Sequence, residues 1–278
     1  MSQNVKIMAY IKNVDINGLW GMKNISWQDI NEDVNIIVGI NGSGKTSLLN
    51  ILWGIIGPDF KNLKKYKYSQ IEIKMSDGCI VKCLQSAPST PADFETSSEF
   101  ISTFDVISSK NSKTESPLSI ELSDIIYTAG KNMNTFFDYR LKATNYPEQA
   151  NLINNRIQSF YQLVNKQFFA TNKQIGIEPS TNKIIFRQDG NVIHLEDLSS
   201  GEKQFLLIMF KVFLMEEKPH ILLMDEPEIS MHLDWQFELI NVIRELNPNC
   251  QIIISTHSPS MFGDGWGDKV VYMEDILK

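Results

Sequence analysis

The feature that most limits what this chain can fold into is GINGSGKT, Gly39 to Thr46. It fits the spacing G-x-x-x-x-G-K-[ST]. It also lies where that motif must lie, after VNIIVGI, which reads as a buried strand, and at the start of KTSLLNILWGII, whose apolar residues recur at helical spacing until Gly57-Pro58 stops them. Glycines let the backbone wrap so that N–H groups point inward at an anion, and the following helix presents the positive end of its dipole to the same charge. Lys45 then reaches the outer phosphates of a nucleotide, and Thr46 offers a hydroxyl to Mg2+. The candidate nucleotide-contacting residues are Gly39, Asn41, Gly42, Ser43, Gly44, Lys45, Thr46 and Ser47. From average residue usage, the four fixed positions arise by chance in a chain this long roughly once in a hundred. The flanking strand and helix lower that further.

The 278 residues suit one large domain or two modest ones, with 42% hydrophobic content to build a core. A net charge of −7 and a pI near 5.2 disfavour a generally basic nucleic-acid binder and leave only a local patch. No apolar run approaches the roughly 20 residues of a membrane span, and the N-terminus lacks the apolar region of a signal peptide. Three cysteines do not read as a disulfide framework. Cys79 and Cys83 are spaced to share a strand face, but a metal site there lacks further ligands nearby. The expected location is the cytoplasm, with no membrane partner.

Along the chain, residues 1–38 read as strands. Two alternating runs flank Asp77-Gly78 in 68–85, and two more flank Asp189-Gly190 in 184–195, each a hairpin signal. Residues 86–119 read as loop, strand (around FISTFDVI) and loop. Residues 132–170 read as helical with a break at Tyr146-Pro147. From 198 the pattern is helix, strand HILLMDE, helix LDWQFELINVIREL, strand QIIISTH and last strand KVVYM. Such alternation predicts an α/β fold: a mainly parallel sheet flanked by helices, with an added antiparallel β piece and a helical insertion.

Two of these strands end in chemistry. ILLMDEPE closes on Asp225, placed to orient a Mg2+ shell, and Glu226, placed to polarise a water against a γ-phosphate. On its own an acidic turn before Pro227 is common; beside a phosphate loop it reads as catalytic. QIIISTHSP closes on His257, which can hydrogen-bond the γ-phosphate or the attacking water. Taken alone it would more readily be a satisfied structural histidine. The third element is LSSGEKQ, 198–204, which needs to be nothing more than a helix start.

The order phosphate loop, LSSGE, DEPE, STH resembles the ABC-type ATPase superfamily over residues 5 to 273. LSSGE is similar to the family's signature, usually written LSGGQ, with Ser200 and Glu202 departing from it. The resemblance implies that Ser199 and Gly201 bind the γ-phosphate of a nucleotide held by a second subunit, so a homodimer would carry composite ATP sites. DEPEISMHL, Asp225 to Leu233, is similar to the D-E-P-E-x-x-L-H-P of the overcoming-lysogenization-defect branch, with Leu233 in place of the proline. That branch implies ATP hydrolysis with Mg2+ that drives a separate effector, such as a nuclease, in phage defence or DNA repair. The expected organisation is one head domain over 1–278, with a nucleotide-binding lobe of about 1–85 plus 198–278 and an insertion of about 86–183. With the chain ending after its last strand, no nuclease domain is expected within it.

Two other classes stay open at this level: a nucleotide-gated scaffold with negligible turnover, against which Glu226 argues, and the energy subunit of a transporter, whose D-E-P-x-x-x-L-D is missing. The family's Q-loop glutamine is either Gln85 or absent, if FISTFD is the corresponding strand. Trp20 and Tyr10 lie where an adenine-stacking aromatic belongs, though core packing is the simpler expectation for both. KNLKKYKY, 61–68, reads as a solvated charged loop ahead of a DNA contact. FYQLVNKQFF, 160–169, reads as core, and DGWGDK, 264–269, as a Gly-rich turn.

Overall fold

The computed structural model describes residues 9–57, 60–86, 97–102, 116–128, 135–263 and 265–278. The chain opens with β1 (Ile11–Leu19) and β2 (Lys23–Trp27), antiparallel and joined through left-handed Trp20 and Gly21. Then come β3 (Val34–Val38), α1 (Lys45–Ile56), the hairpin β4 (Gln70–Met75) and β5 (Ile80–Leu84), and β6 (Ser97–Ile101). Gly78, at φ 90, supplies the left-handed turn that the Asp-Gly pair promises in the first hairpin. Three helices follow, α2 (Pro117–Tyr127), α3 (Phe136–Asn145) and α4 (Ala150–Gln167). Ser116 caps α2 with a proline in its first turn, and Thr135 with Asp138 forms a capping box on α3. Tyr146-Pro147 separates α3 from α4 as the sequence predicts. A meander of β7 (Gln174–Ile177), β8 (Ile184–Gln188) and β9 (Asn191–His194) leads into α5 (Ser200–Leu214), β10 (His220–Asp225), α6 (Leu233–Leu246), β11 (Cys250–Ser255), β12 (Val270–Tyr272) and α7 (Met273–Ile276).

Two compact units emerge: Met1–Thr103 with Glu217–Glu228 and Pro248–Lys278, and Phe104–Glu216 with Ile229–Asn247. The first holds two sheets. One is antiparallel, in the order β2-β1-β4-β5; the other is parallel throughout, in the order β12-β3-β11-β10-β6. The parallel strands read as unbroken apolar runs because they are covered on both faces, and β10 and β11 are buried almost end to end. Leu48, Leu49, Ile51 and Leu52 of α1 join Ile16 and Ile73 of the antiparallel sheet and Ile37, Leu223 and Ile253 of the parallel one in a single core. At roughly 1.5–3 kcal/mol per fully buried aliphatic side chain, this cluster is what fixes α1 against the strands. Since β3, β11 and β10 are parallel neighbours, their carboxyl ends share one edge. That edge is where ligands bind in open α/β sheets.

The second unit is helical, with the three-stranded sheet β7-β8-β9. Its core is aromatic. Phe160 lies 4.9 Å from Phe210 and 4.7 Å from Phe213, and Phe136 packs edge-on to Phe210 at 5.1 Å. A helix apolar on every side must be buried, and α5 is, including Lys211, which pairs with Glu121 at 2.7 Å. FYQLVNKQFF is core as expected at Phe160, Leu163, Val164 and Phe168, but Phe169 is 84% exposed. The stretch 86–119 departs from its sequence reading. β6 starts at Ser97, ahead of FISTFDVI, and α2 begins at Pro117 inside the expected loop; residues 87–96 and 103–115 lie outside the described residues.

Candidate nucleotide site

Each catalytic candidate of the first unit leaves the shared carboxyl edge. From β3 the chain enters the phosphate loop. Gly42 (φ 79) and Gly44 (φ 113) take left-handed conformations, and α1 begins at Lys45 with no side chain capping it. The first-turn N–H groups of a helix have no intrahelical acceptor, so the loop offers them to a ligand. Ser43 adds a buried hydroxyl with no partner.

Lys45 is 4% exposed and folded back over its own loop. Its Nζ donates to the carbonyls of Gly39 at 2.9 Å and Ile40 at 3.4 Å, and lies 2.8 Å from His257 Nε2. Burial pulls the ammonium below its ordinary range, opposed by the carboxylates of Glu226, Asp225, Glu274 and Glu228. His257 Nε2 also stands 3.1 Å from Glu226 Oε1. Thr46 Oγ1 donates to Asp225 Oδ1 at 3.2 Å, and the Ser255 hydroxyl donates to the same oxygen. Glu226 holds a left-handed backbone (φ 46), and its N–H donates to the Ser255 carbonyl at 2.9 Å. A non-glycine residue in that region is strained by about 1–3 kcal/mol, a cost met mostly at functional sites. Lys45, Thr46, Asp225, Glu226 and His257, drawn from three strand ends, thus form one cluster. Asn41 and Gly42 are exposed on the loop and Ser47 is half-buried.

Among the described residues, no group of three or more His, Cys, Asp and Glu side chains is arranged to hold a metal alone. The Thr46 hydroxyl and Asp225 carboxylate nevertheless suit Mg2+, a hard cation bound through one or two protein oxygens, substrate phosphates and water.

The signature sits in the second unit. Ser199 caps α5: its Oγ accepts from Glu202 N–H at 3.3 Å, and its N–H donates to Glu202 Oε2 at 2.8 Å. Lys173 Nζ pairs with the other oxygen of Glu202 at 2.5 Å. Ser199 is exposed and Gly201 is buried. A Cβ at Gly201 would fall 2.1 Å from the carbonyl oxygen of Ser230, so only glycine fits. Beside them opens a cavity of about 620 Å³, lined by Ser199, Gly201, Met231, His232, Trp235 and Phe169 among others.

Several expectations change. Trp20 is not core. It is 36% exposed at φ 53, and a Cβ at Gly44 would meet its ring at 2.8 Å, so the indole roofs the phosphate loop. Lys23 lies over that ring at 5.7 Å. Gln85 follows an antiparallel strand and accepts the Tyr68 N–H at 3.1 Å; β10 lies between β11 and β6 in the parallel sheet, and β6 ends without a glutamine. In KNLKKYKY, expected as a solvated loop, Phe60–Lys65 forms a 3-10 helix; Leu63 and Tyr68 are buried, while Lys64, Lys65 and Lys67 face solvent as expected. The sequence reading passed over Glu228, which is buried against the His257 segment. The signal for it was a second glutamate in DEPE, directly after a proline turn.

A family model described as AAA ATPase domain matches residues 60–262, a span that begins beyond the phosphate loop. The chain is 23% identical to the Septu protein PtuA of Bacillus thuringiensis, over 91% of this chain and 73% of that protein. Among solved structures, an SMC head bound to the C-winged helix domain of ScpA superposes with a TM-score of 0.54 at 15% identity, covering 91% of this chain and 92% of that one. The SMC head domain of Thermotoga maritima gives 0.50 at 16%, covering 91% of each chain. These two likenesses establish the fold: an SMC-head-like P-loop ATPase fold, in agreement with the α/β architecture and the ABC-type resemblance read from the sequence.

Proposed function

Because the chain belongs to the AAA ATPase domain family, we propose that it binds ATP with Mg2+ and hydrolyses it between two copies of itself. The observation that carries this reading is the convergence of Lys45, His257 and Glu226, with His257 Nε2 2.8 Å from Nζ and 3.1 Å from Oε1. Lys45 releases its loop carbonyls to meet the β- and γ-phosphates. Thr46 and Asp225 hold Mg2+, which offsets charge on those phosphates when bound. Glu226 takes the proton of the attacking water, and His257 holds the γ-phosphate or that water in line. No residue of the Ser199 cradle serves as a base. Its part is to donate from the Ser199 hydroxyl and the α5 N-terminus to the γ-phosphate of a partner subunit in a head-to-tail homodimer.

The work so driven is conformational. ATP closes the pair, hydrolysis opens it, and a separate effector reads the state. The resemblance to the overcoming-lysogenization-defect branch supports a role in phage defence or DNA repair with a nuclease as that effector. An SMC head solved with a winged-helix domain bound to it supports docking of such a partner on the head. Among the described residues no helix is long and apolar enough to cross a membrane. The test is Glu226→Gln, which keeps the shape and removes the base. ATP should bind normally while turnover falls at least about a hundredfold. Wild-type turnover by this variant sinks the assignment.

A further inference from the structure

One buried carboxylate beside this cluster has no part in the chemistry above. Glu228 is 6% exposed, three residues beyond Asp225 and past the turn at Pro227. Its Oε1 accepts the Thr256 hydroxyl and, at 3.3 Å, the backbone N–H of His257. Thr256 Oγ1 in turn accepts the Ser258 N–H at 2.9 Å. The other oxygen, Oε2, is buried without a partner, and burial raises the carboxyl above its ordinary range. An ionisable group in such a place is costly to bury and contributes little stability that an apolar residue of like volume would not.

We infer that Glu228 is a positioning residue: it fixes the backbone on which His257 stands, and so sets the imidazole between Lys45 and Glu226. His257 lies beyond the last residue of β11, outside the sheet's own hydrogen bonding, and its imidazole is 37% exposed. Hydrogen bonds from two residues tie the turn after β10 to the end of β11 and the turn beyond it. One is the Glu226 N–H on the Ser255 carbonyl; the other is Glu228 on Thr256 and His257. The first holds Glu226. The second holds His257, and a displacement of about 1 Å in such a group costs on the order of a hundredfold in rate. The inference rests on the reading of His257 as a γ-phosphate or water ligand.

A second role is available to the same side chain. Glu228 is one of the carboxylates whose charge favours the Lys45 ammonium. The two roles separate by substitution, because glutamine keeps an acceptor oxygen and removes the charge. Steady-state ATP turnover and equilibrium binding of ATP, measured on the full chain, are the readouts. Glu228→Ala should lose about tenfold to a hundredfold in kcat with ATP affinity within about twofold of wild type. Glu228→Gln should retain most of the turnover. On a His257→Ala background, Glu228→Ala should cause little further loss, because the group it positions is gone. Glu228→Leu, which refills the volume without an acceptor, repeats the test should the alanine variant not fold.

Three outcomes overturn the positioning role: wild-type kcat in both Glu228→Ala and Glu228→Leu, a glutamine variant as impaired as the alanine one with weakened ATP binding, or losses that multiply in the double variant. Wild-type turnover by His257→Ala is a different failure. It removes the reading of the site itself, and the role of Glu228 with it.

Discussion

The chain builds two anion cradles from the same parts, a run of small residues followed by a buried helix, and finishes them differently. At α1 the helix starts from left-handed Gly44 with no side-chain cap. At α5 the start is closed by Ser199 and Glu202 in a reciprocal capping box, with Lys173 on the glutamate. The first leaves its donors for a ligand and gathers a lysine, two carboxylates and a histidine around it. The second satisfies part of its own end, with Ser199 Oγ accepting from Glu202, and leaves the Ser199 hydroxyl proton and the rest of the α5 start to face outward. Under the proposed function, the difference is that between a site that performs chemistry and a surface that completes one. A capped helix start holds its shape without ligand, as a surface that must meet another chain's nucleotide requires.

If that contrast is right, the largest effects belong to the first cradle. Lys45→Ala should lose most ATP affinity, at least about a hundredfold by equilibrium binding, because it removes the buried cation facing the phosphates. Retained affinity would mean that the loop binds through its N–H groups alone. Next in size is a contrast between two glycines. Gly201→Ala drives a Cβ to 2.1 Å from the Ser230 carbonyl, backbone that cannot step aside. It should lower stability in denaturant unfolding by about 2–4 kcal/mol. Gly42→Ala meets nothing within 4 Å, so its cost should be limited to the left-handed strain at φ 79, about 1 kcal/mol. Equal losses would remove the distinction between a packed signature and an open loop.

Smaller still is the cap. Ser199→Ala should lower stability by only about 1 kcal/mol while reducing turnover and ATP-dependent dimerisation far more. A stability loss with unaltered turnover would reduce LSSGE to a helix start. Least of all is expected from duplex DNA. With a net charge of −7, and Lys64, Lys65 and Lys67 on a solvated loop, the isolated chain should bind it weakly at physiological salt. A tight complex with a steep salt dependence in a titration would show that the first unit contacts DNA directly.

What could be read in advance follows the range of the forces. The phosphate loop, the Asp225-Glu226 strand end and both Asp-Gly hairpins were legible because their signals are local: glycine conformations, strand runs and turn chemistry. His257 was legible only through the order of the motifs. Three features were not read in advance. Trp20 roofs Gly44 across more than twenty residues of chain, a long-range contact that periodicity does not encode. Glu228 is buried by tertiary packing against a propensity that would expose it. Phe169 continues an aromatic run that is core up to Phe168 and then turns out to solvent as α4 ends.

The shared site is tested most directly by mixing two broken chains. Lys45→Ala and Ser199→Arg homodimers each carry two defective sites and should both be nearly inactive. In a mixed dimer one site collects both lesions, and the other pairs an intact Lys45 with an intact Ser199 from the opposite chain. ATP turnover should therefore return on mixing, to at most about half of wild type per mixed dimer if the sites act independently. Formation of the mixed dimer is verified by ATP-dependent crosslinking. Crosslinked mixed dimer with no recovered turnover would contradict the account, placing Ser199 in the service of its own chain or outside the reaction.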